Sequence, residues 1–404
     1  MKKIILIIIV IFLCGCSYDP YKMPKNAYIK TNDKTYEVYS SNIKLKELIK
    51  DTNTEILNKK DILKTTKLGK NKVTIIYKYK RKNRKYKYDV TYNVVDTTKP
   101  IFLIADSSKT IYKDEKIDFC EKISYIDNYD SEVKCSVIGD INNDSIGTYY
   151  LKYKLEDNSK NINEKDFTVN IIEKDNNTQS NISNNPPISN DYEGINFTDI
   201  VKKYKNKKTM IGIDVSKWQE DIDFKKVKDA GCEFVIMRMG VNTDTDKDIS
   251  EDTYFRNNIK NAKKAGLKVG VYIYTTATTK ERAIEHANWS NKVLNTQKLD
   301  FPVAFDFENW EEFPKYDKSM YDITSAYLAF DKQMKKYGYD TMLYSSMNYL
   351  NNVWMFNDTY NVWLAHYTDK TSYEGKYIMW QMTSEGRIDG INSFVDIDIY
   401  YRSK

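Results

Sequence analysis

The sequence predicts β-rich domains followed by an α/β barrel, and three observations carry that prediction. Between about residues 27 and 174, short runs rich in tyrosine, valine and threonine alternate apolar with charged side chains, the period of half-buried strands. From Met210 onward, strand-like runs alternate with amphipathic helices, and eight such runs follow one another, a number that closes a barrel. Between these regions, residues 175–195 are polar and rich in Asn, Ser and Pro, so they read as a linker with no core to bury. The predicted organisation is a signal at 1–16, β-domains at 27–96 and 97–174, a linker at 175–205 and a barrel at 206–404.

Composition narrows the function. A chain of 404 residues, 41% hydrophobic, has length and apolar content for two or three packed domains. The net charge of +6 arises from 63 basic and 57 acidic residues, a mixed surface that argues against nucleic acid as a partner. Only two histidines, His286 and His366, and five cysteines are present, so no clustered His/Cys metal site is expected and no cofactor is called for.

The amino terminus reads as an export signal. Lys2 and Lys3 precede an apolar run from Ile4 to Leu13, too short to span a membrane. Leu13, Cys14, Gly15 and Cys16 then resemble a bacterial lipobox. That resemblance implies cleavage before Cys16, a lipid on its thiol, and a chain held on the outer face of the bacterial cell membrane, facing the wall. In that oxidising setting Cys120 and Cys135 are expected to pair, closing a loop worth roughly 3 kcal/mol. Cys232, between Gly231 and Phe234, reads as a small buried hydrophobe.

The two β-domains differ in legibility. The first contains the strand-like runs 34–39, 72–78 and 86–92 and reads as a small sandwich. Between its last two runs, 78–87 carries seven positive charges in ten residues. It reads as a solvated hairpin, the alternative being attraction to anionic wall polymers or lipid headgroups. The second opens on Asp96 to Pro100, continues through Tyr125 to Ser131 and the strand Gly147 to Lys154, and closes with Asp157 to Asn161 and the strand Asp166 to Ile171. These segments resemble the bacterial immunoglobulin-like domains of surface proteins; the first domain is compatible with a diverged copy, though no clean repeat links the two. Together with the linker they are expected to form a stalk, with a surface protein complex as a further candidate partner.

The barrel's elements follow in order. The strands are Met210–Ser216, Glu233–Met239, Lys268–Thr275, Pro302–Trp310, Thr341–Ser345, Asn361–Tyr367, Tyr377–Met382 and Ser393–Ile399. Helices are expected over Asp223–Ala230, Asp252–Ala265, Thr279–Asn295 and Ser319–Tyr337, with Gly231, Gly266 and Gly338 as stops. Chemistry in such a barrel sits at the C-terminal strand ends. Asp214, Tyr272, Tyr274, Asp306, Glu308, Tyr344, Trp363, Trp380, Gln381 and Asp396 collect there. Along 302–310, Val303 and Phe305 face one way, and Ala304, Asp306 and Glu308 the other. Two acids on one face crowd each other, which raises one pKa and leaves the other group ionised. Glycoside hydrolysis needs that division: a protonated acid for the leaving oxygen and an anion facing the developing oxocarbenium. Aromatic rings at the neighbouring strand ends suit stacking on sugars. The bland alternative is two acids opening a solvated loop.

The order of these motifs, Asp214 to Gln219, Asp306 to Glu308, Trp380 with Gln381, and Val395 with Asp396, resembles the glycoside hydrolase family 25 muramidases, the Chalaropsis-type lysozymes. The resemblance spans about 195 residues. It implies a modified TIM-type barrel with eight strands and fewer helices, and cleavage of the β-1,4 bond between N-acetylmuramic acid and N-acetylglucosamine in peptidoglycan. Carried over by position, Glu308 resembles the general acid, Asp306 the carboxylate that supports the intermediate or orients the acetamido group, and Asp214 and Asp396 the flanking acids. Tyr272, Tyr274, Tyr344, Trp363, Trp380 and Gln381 are expected to bind substrate. Asp398 departs from the commoner family ending, where asparagine stands, and Tyr272 and Tyr274 enclose an isoleucine where a histidine is common. The reading that competes with an enzyme is a barrel that binds wall glycan without cutting it.

Overall fold

The computed structural model describes residues 18–80, 84–174, 193–244, 247–356 and 358–402. Cys16 and its signal, the linker through 192 and the tip of the basic hairpin at 81–83 lie outside the described residues. The chain divides after Thr97 into two compact units. In the first, the antiparallel strands Gly69–Lys78 and Tyr86–Val95 form the centre of a four-stranded sheet. Its inward positions are Ile75, Tyr77, Val90, Tyr92 and Val94, and Tyr77 and Tyr86 stack with centroids 5.6 Å apart.

The second unit contains the closed barrel. Its strands are β1 (Thr209–Val215), β2 (Phe234–Val241), β3 (Lys268–Tyr274), β4 (Val303–Asp306), β5 (Thr341–Ser346), β6 (Asn361–Ala365), β7 (Met379–Arg387) and β8 (Val395–Tyr401). β1 to β7 are parallel in sequence order. β8 closes the ring, antiparallel to both β7 and β1. Asp396 therefore lies at the beginning of its strand rather than the end the sequence predicts, yet on the same rim, directly opposite Asp214.

The helices are α1 (Phe197–Tyr204), α2 (Phe224–Asp229), α3 (Phe255–Lys264), α4 (Lys280–Leu294), α5 (Met320–Lys336) and α6 (Met347–Asn352). Asp223, Thr279 and Ser319 cap α2, α4 and α5 by accepting backbone N–H groups, which fixes where each begins. Tyr337, the last residue of the helix expected over Ser319–Tyr337, lies beyond the last turn of α5 and turns outward to donate to Asn288 at 2.8 Å. α1 falls within the predicted linker. Phe197 and Ile200 are buried against the barrel, and Ile195–Asn196 pairs with β7, so the barrel domain starts earlier than composition shows.

Alternation along the strands separates two cores. Val303, Phe305 and Phe307 face the helices, with Ile213, Val235, Val271 and Leu343. Met210, Phe234, Ile236, Ala304, Met342, Trp363 and Met379 fill the barrel interior. Glycine makes that filling possible, since a Cβ on Gly212 or Gly270 would come within 2.5 Å of Phe234 or Ile236. The inward series turns polar toward one rim, from Met210 through Gly212 to Asp214, from Ile236 to Arg238, and from Ala304 to Asp306.

The second β-module is part of this unit. Its sheet joins Lys134–Ile138, Gly147–Glu156, Ile162–Ile172 and Ser108–Tyr112, around Leu151, Tyr153, Phe167 and Val169. Cys120 and Cys135 are disulfide-bonded, with Cα atoms 5.9 Å apart. A separate antiparallel pair, Ile101–Ile104 with Ser124–Ile126, lies between this sheet and the barrel. Phe102 and Tyr125 turn into the module, whereas Ile101, Leu103 and Ile126 pack on the barrel's outer core. Asp127 accepts the backbone N–H of Met320 at 2.7 Å, at the start of α5. This module is thus docked on the barrel rather than standing off as a stalk, because alternate residues of its edge pair are apolar and need cover.

Candidate active site

The polar rim of the barrel opens as a cleft with two lobes. The inner lobe, about 180 Å³, is lined by Asp214, Tyr272, Asp306, Glu308, Tyr344, Trp363, Tyr367, Gln381 and Asp396. The outer lobe, about 690 Å³, shares Glu308, Tyr344 and Tyr367 with it and extends past Tyr274, Asn309, Met347 and Tyr349.

Asp306 closes β4 in register with Tyr274 on β3 and Tyr344 on β5. It is buried, and its Oδ1 has no hydrogen-bond partner among the described residues. Burial and the neighbouring Glu308 push its carboxyl well above the usual carboxylate range, against the opposing field of Arg238. Glu308 lies two residues further on and is open to solvent within the cleft. The protein surrounding it still desolvates its carboxyl and raises its pKa, while the neighbouring Tyr344 hydroxyl opposes the rise.

Asp214 and Asp396 face each other across β1 and β8. Burial, then Asp396 and Asp398, push Asp214 well above its ordinary value. Asp396 is pushed up to about 6, chiefly by burial. Asp398 lies beneath, fully buried, and accepts the Trp363 indole N–H at 2.8 Å. Burial and Asp396 raise its pKa strongly too. Burial and the crowding of these carboxyls against one another thus act in the same direction, raising each above the ordinary carboxylate value.

Gln381 organises this wall. Its Nε2 donates to Asp214 at 2.8 Å, and its Oε1 accepts from Tyr344 at 2.8 Å and from Tyr367 at 3.0 Å. The turn after β1 is set by Ser216, which caps a short 3-10 turn at Lys217–Gln219, and Gln219 then donates to the Phe394 carbonyl before β8.

The sequence profile of the glycosyl hydrolases family 25 matches residues 213–391, which span β1 to the approach to β8 and carry Asp214, Asp306, Glu308 and Gln381. The barrel belongs to glycosyl hydrolase family 25. It makes this chain a glycoside hydrolase. The uncharacterized protein YegX of Escherichia coli is 28% identical over 195 residues, covering 48% of this chain and 70% of YegX. The autolytic lysozyme of Clostridium acetobutylicum is 27% identical over 191 residues, covering 47% of this chain and 55% of the lysozyme. Among solved structures, the family 25 glycosyl hydrolase of Bacillus anthracis is 20% identical with a TM-score of 0.43, covering 50% of this chain and 93% of that one.

Within the family 25 barrel, Asp214, Asp306, Glu308, Asp396, Tyr272, Tyr344 and Gln381 converge on the inner lobe, and Tyr274 borders the outer one. Trp363 forms a floor, almost fully buried, with its ring edge-on to Tyr344 at 4.8 Å. Trp380 does not reach the cleft. Adjacent to the inward Gln381, it points outward, packs edge-on to Tyr204 and donates to the His366 carbonyl at 2.8 Å. Both histidines bond to threonine hydroxyls, and burial pulls His286 down to about 3, so it is neutral.

Two groups near the rim acids, Tyr367 in the cleft and Arg238 beside it, escape the sequence reading. Tyr367 ends the β6 run and is 56% exposed at the junction of the lobes, which suits ligand contact better than the buried Trp363 does. Arg238 points inward from β2 and is held by Asp252, with Nε at 2.8 Å and Nη2 at 2.7 Å. A lone arginine inside the apolar run 234–241 is the signal that marks it. Elsewhere, carboxylate oxygens of Asp127, Asp130 and Asp157 in the second module lie within 4.8 Å of one another, away from the inner lobe.

Proposed function

We propose that the protein is a peptidoglycan muramidase, cleaving the β-1,4 bond between N-acetylmuramic acid and N-acetylglucosamine, and that it works outside the cytoplasm from a lipid on Cys16. The observation that carries the enzymatic reading is the convergence of Asp214, Asp306, Glu308 and Asp396 on one lobe at the barrel rim, with Glu308 the member open to solvent at the junction of the lobes. Its raised pKa suits it to hold a proton and deliver it to the leaving glycosidic oxygen. Asp306 and Asp214, deeper in the lobe, face the side where positive charge develops or the acetamido group turns. Gln381 with Tyr344 and Tyr367 fixes that wall before substrate arrives, so little reorganisation is left for the reaction. The anchor reading rests on Lys2, Lys3, the apolar run and the Leu13 to Cys16 motif.

The test is digestion of purified peptidoglycan by the chain lacking residues 1–16, followed by reduction and mass analysis. Fragments ending in reduced N-acetylmuramic acid support a muramidase, and ends in reduced N-acetylglucosamine reassign the bond cut. Intact glycan that retains the protein moves the reading to a wall-binding barrel. Labelled fatty acid on the wild type, absent from Cys16→Ser, tests the anchor, and equal labelling of both rejects it.

A further inference from the structure

The outer lobe of the cleft is not built by the barrel alone. Ile104, at the end of the module's edge strand, borders it alongside Phe307, Asn309, Trp310, Met347, Tyr349 and Tyr367. The same edge pair grips the loop that follows Glu308. Ser124, fully buried, donates its hydroxyl to the Trp310 carbonyl. The Trp310 N–H in turn donates to the Glu308 carbonyl at 2.8 Å. Trp310 is stacked on Tyr349 at 4.4 Å and set edge-on to Phe307 at 4.9 Å. One short β-pair thus both supports the catalytic loop and supplies a wall of the cleft.

We propose that the second β-module completes a subsite for the saccharide chain running on from the cleaved bond, with Ile104 as a specificity-determining contact in its wall. This rests on the muramidase reading of the same cleft. The outer lobe shares Glu308, Tyr344 and Tyr367 with the catalytic lobe, so a ligand chain leaving one enters the other. Its volume, about 690 Å³, is that of a full ligand site. Its chemistry suits the neutral, acetamido-bearing N-acetylglucosamine units of that chain. Tyr274, Tyr349 and Tyr367 offer ring faces and hydroxyls, Asn309 and Asn348 offer amides, and Ile104, Met347 and Ala365 offer apolar contact for acetamido methyl groups. A stem peptide fits less well. Its carboxylates would face Glu308 and Glu311, and no lysine or arginine lines the lobe among the described residues.

The experiment compares the chain lacking residues 1–16 with Ile104→Ala and Ile104→Val on solubilised glycan strands. A contact that binds ground and transition states alike raises KM and leaves kcat in place when it is lost. Ile104→Ala is expected to raise KM about tenfold, the scale of a lost apolar pocket contact, and Ile104→Val to recover most of it. Unchanged KM in Ile104→Ala, with active wild type, overturns the inference and leaves the muramidase reading standing. Wild type that cuts nothing defeats the muramidase reading instead. The inference is then decided by dissociation constants for the same strands, which must weaken about tenfold in Ile104→Ala if the subsite exists. Strands with and without stem peptides separate the two occupants, since a loss confined to the peptide-bearing strands would replace the sugar by the peptide.

Discussion

Replacing Asp396 by asparagine tests whether the cleft is held at a cost in stability. The folded protein pushes Asp396 up to about 6 from an ordinary 3.8, through burial first and Glu308 in addition. A carboxyl raised in this way binds its proton more tightly when folded. Its stabilising contribution is therefore complete below the unfolded pKa and is lost as pH climbs through 6. The rise from 3.8 to about 6 corresponds to about 3 kcal/mol at most, at about 1.4 kcal/mol per tenfold change in proton affinity. Water in the open cleft screens the charge, and about 1 to 2 kcal/mol is the expected effect after that discount. Asparagine keeps the shape and removes the charge that also presses on Asp214 and Asp398. Asp396→Asn is thus expected to melt about 3 to 6 °C higher than wild type at pH 7.5, using about 3 °C per kcal/mol for a domain of this size. At pH 3.5 both side chains are neutral and the difference should nearly vanish. Differential scanning calorimetry at the two pH values reads this directly, following the transition of the barrel. A variant that melts at or below wild type at pH 7.5 would refute the claim that these acids are crowded against folding. Reduced turnover in the more stable variant would show what the crowding is for.

Three further outcomes follow from the same geometry. Glu308→Gln should lower kcat by about 10² to 10⁴, the usual worth of a general acid, with the melting temperature little moved because the side chain is open to solvent; full activity would reject the acid assignment. The alkaline limb of kcat/KM should fall above the ordinary glutamate value of 4.5, since Glu308 and its buried neighbours are all raised, and a pH–rate profile with its limb at or below that value would contradict it. Replacing both Cys120 and Cys135 by serine should destabilise the second module by about 3 kcal/mol, read as a lower urea midpoint for the unit that contains it, and an unchanged midpoint would mean that docking on the barrel already supplies the restraint.

Some of this was open to reading from the chain, and the division has a physical cause. Barrel strands and helices announce themselves through local chemistry. Asp223, Thr279 and Ser319 cap helices wherever they precede an apolar repeat, and Gly231, Gly266 and Gly338 take the positive φ that stops them. The acids on β1, β4 and β8 stand out because burial alone gives no reason to place a carboxylate at the end of an apolar strand. Trp380 shows the limit of that logic. Aromatic character says that a residue prefers cover, but only the phase of the strand says which core provides it, and Gln381 takes the inward phase on β7. α1 was masked for a similar reason. Its Phe197 and Ile200 sit in a polar stretch whose composition outweighs two apolar residues until the barrel wall is there to receive them.

The docked module is the least legible feature, and the reason bears on how the enzyme works. Strand Ser124–Ile126 carries one serine and one isoleucine on a face. Nothing local distinguishes an isoleucine that meets solvent from one that fills a partner's core, because the difference lies about 190 residues away, where Trp310 offers its carbonyl to Ser124. Once that contact forms, Ser124 and Ile126 are almost completely buried. Loosening the module would therefore expose apolar surface and strand a buried hydroxyl and carbonyl together, so the module and the loop after Glu308 gain or lose order jointly. A module attached in this way shares the stability of the loop after Glu308. That coupling separates it from a spacer, whose removal would leave Glu308 where it stands.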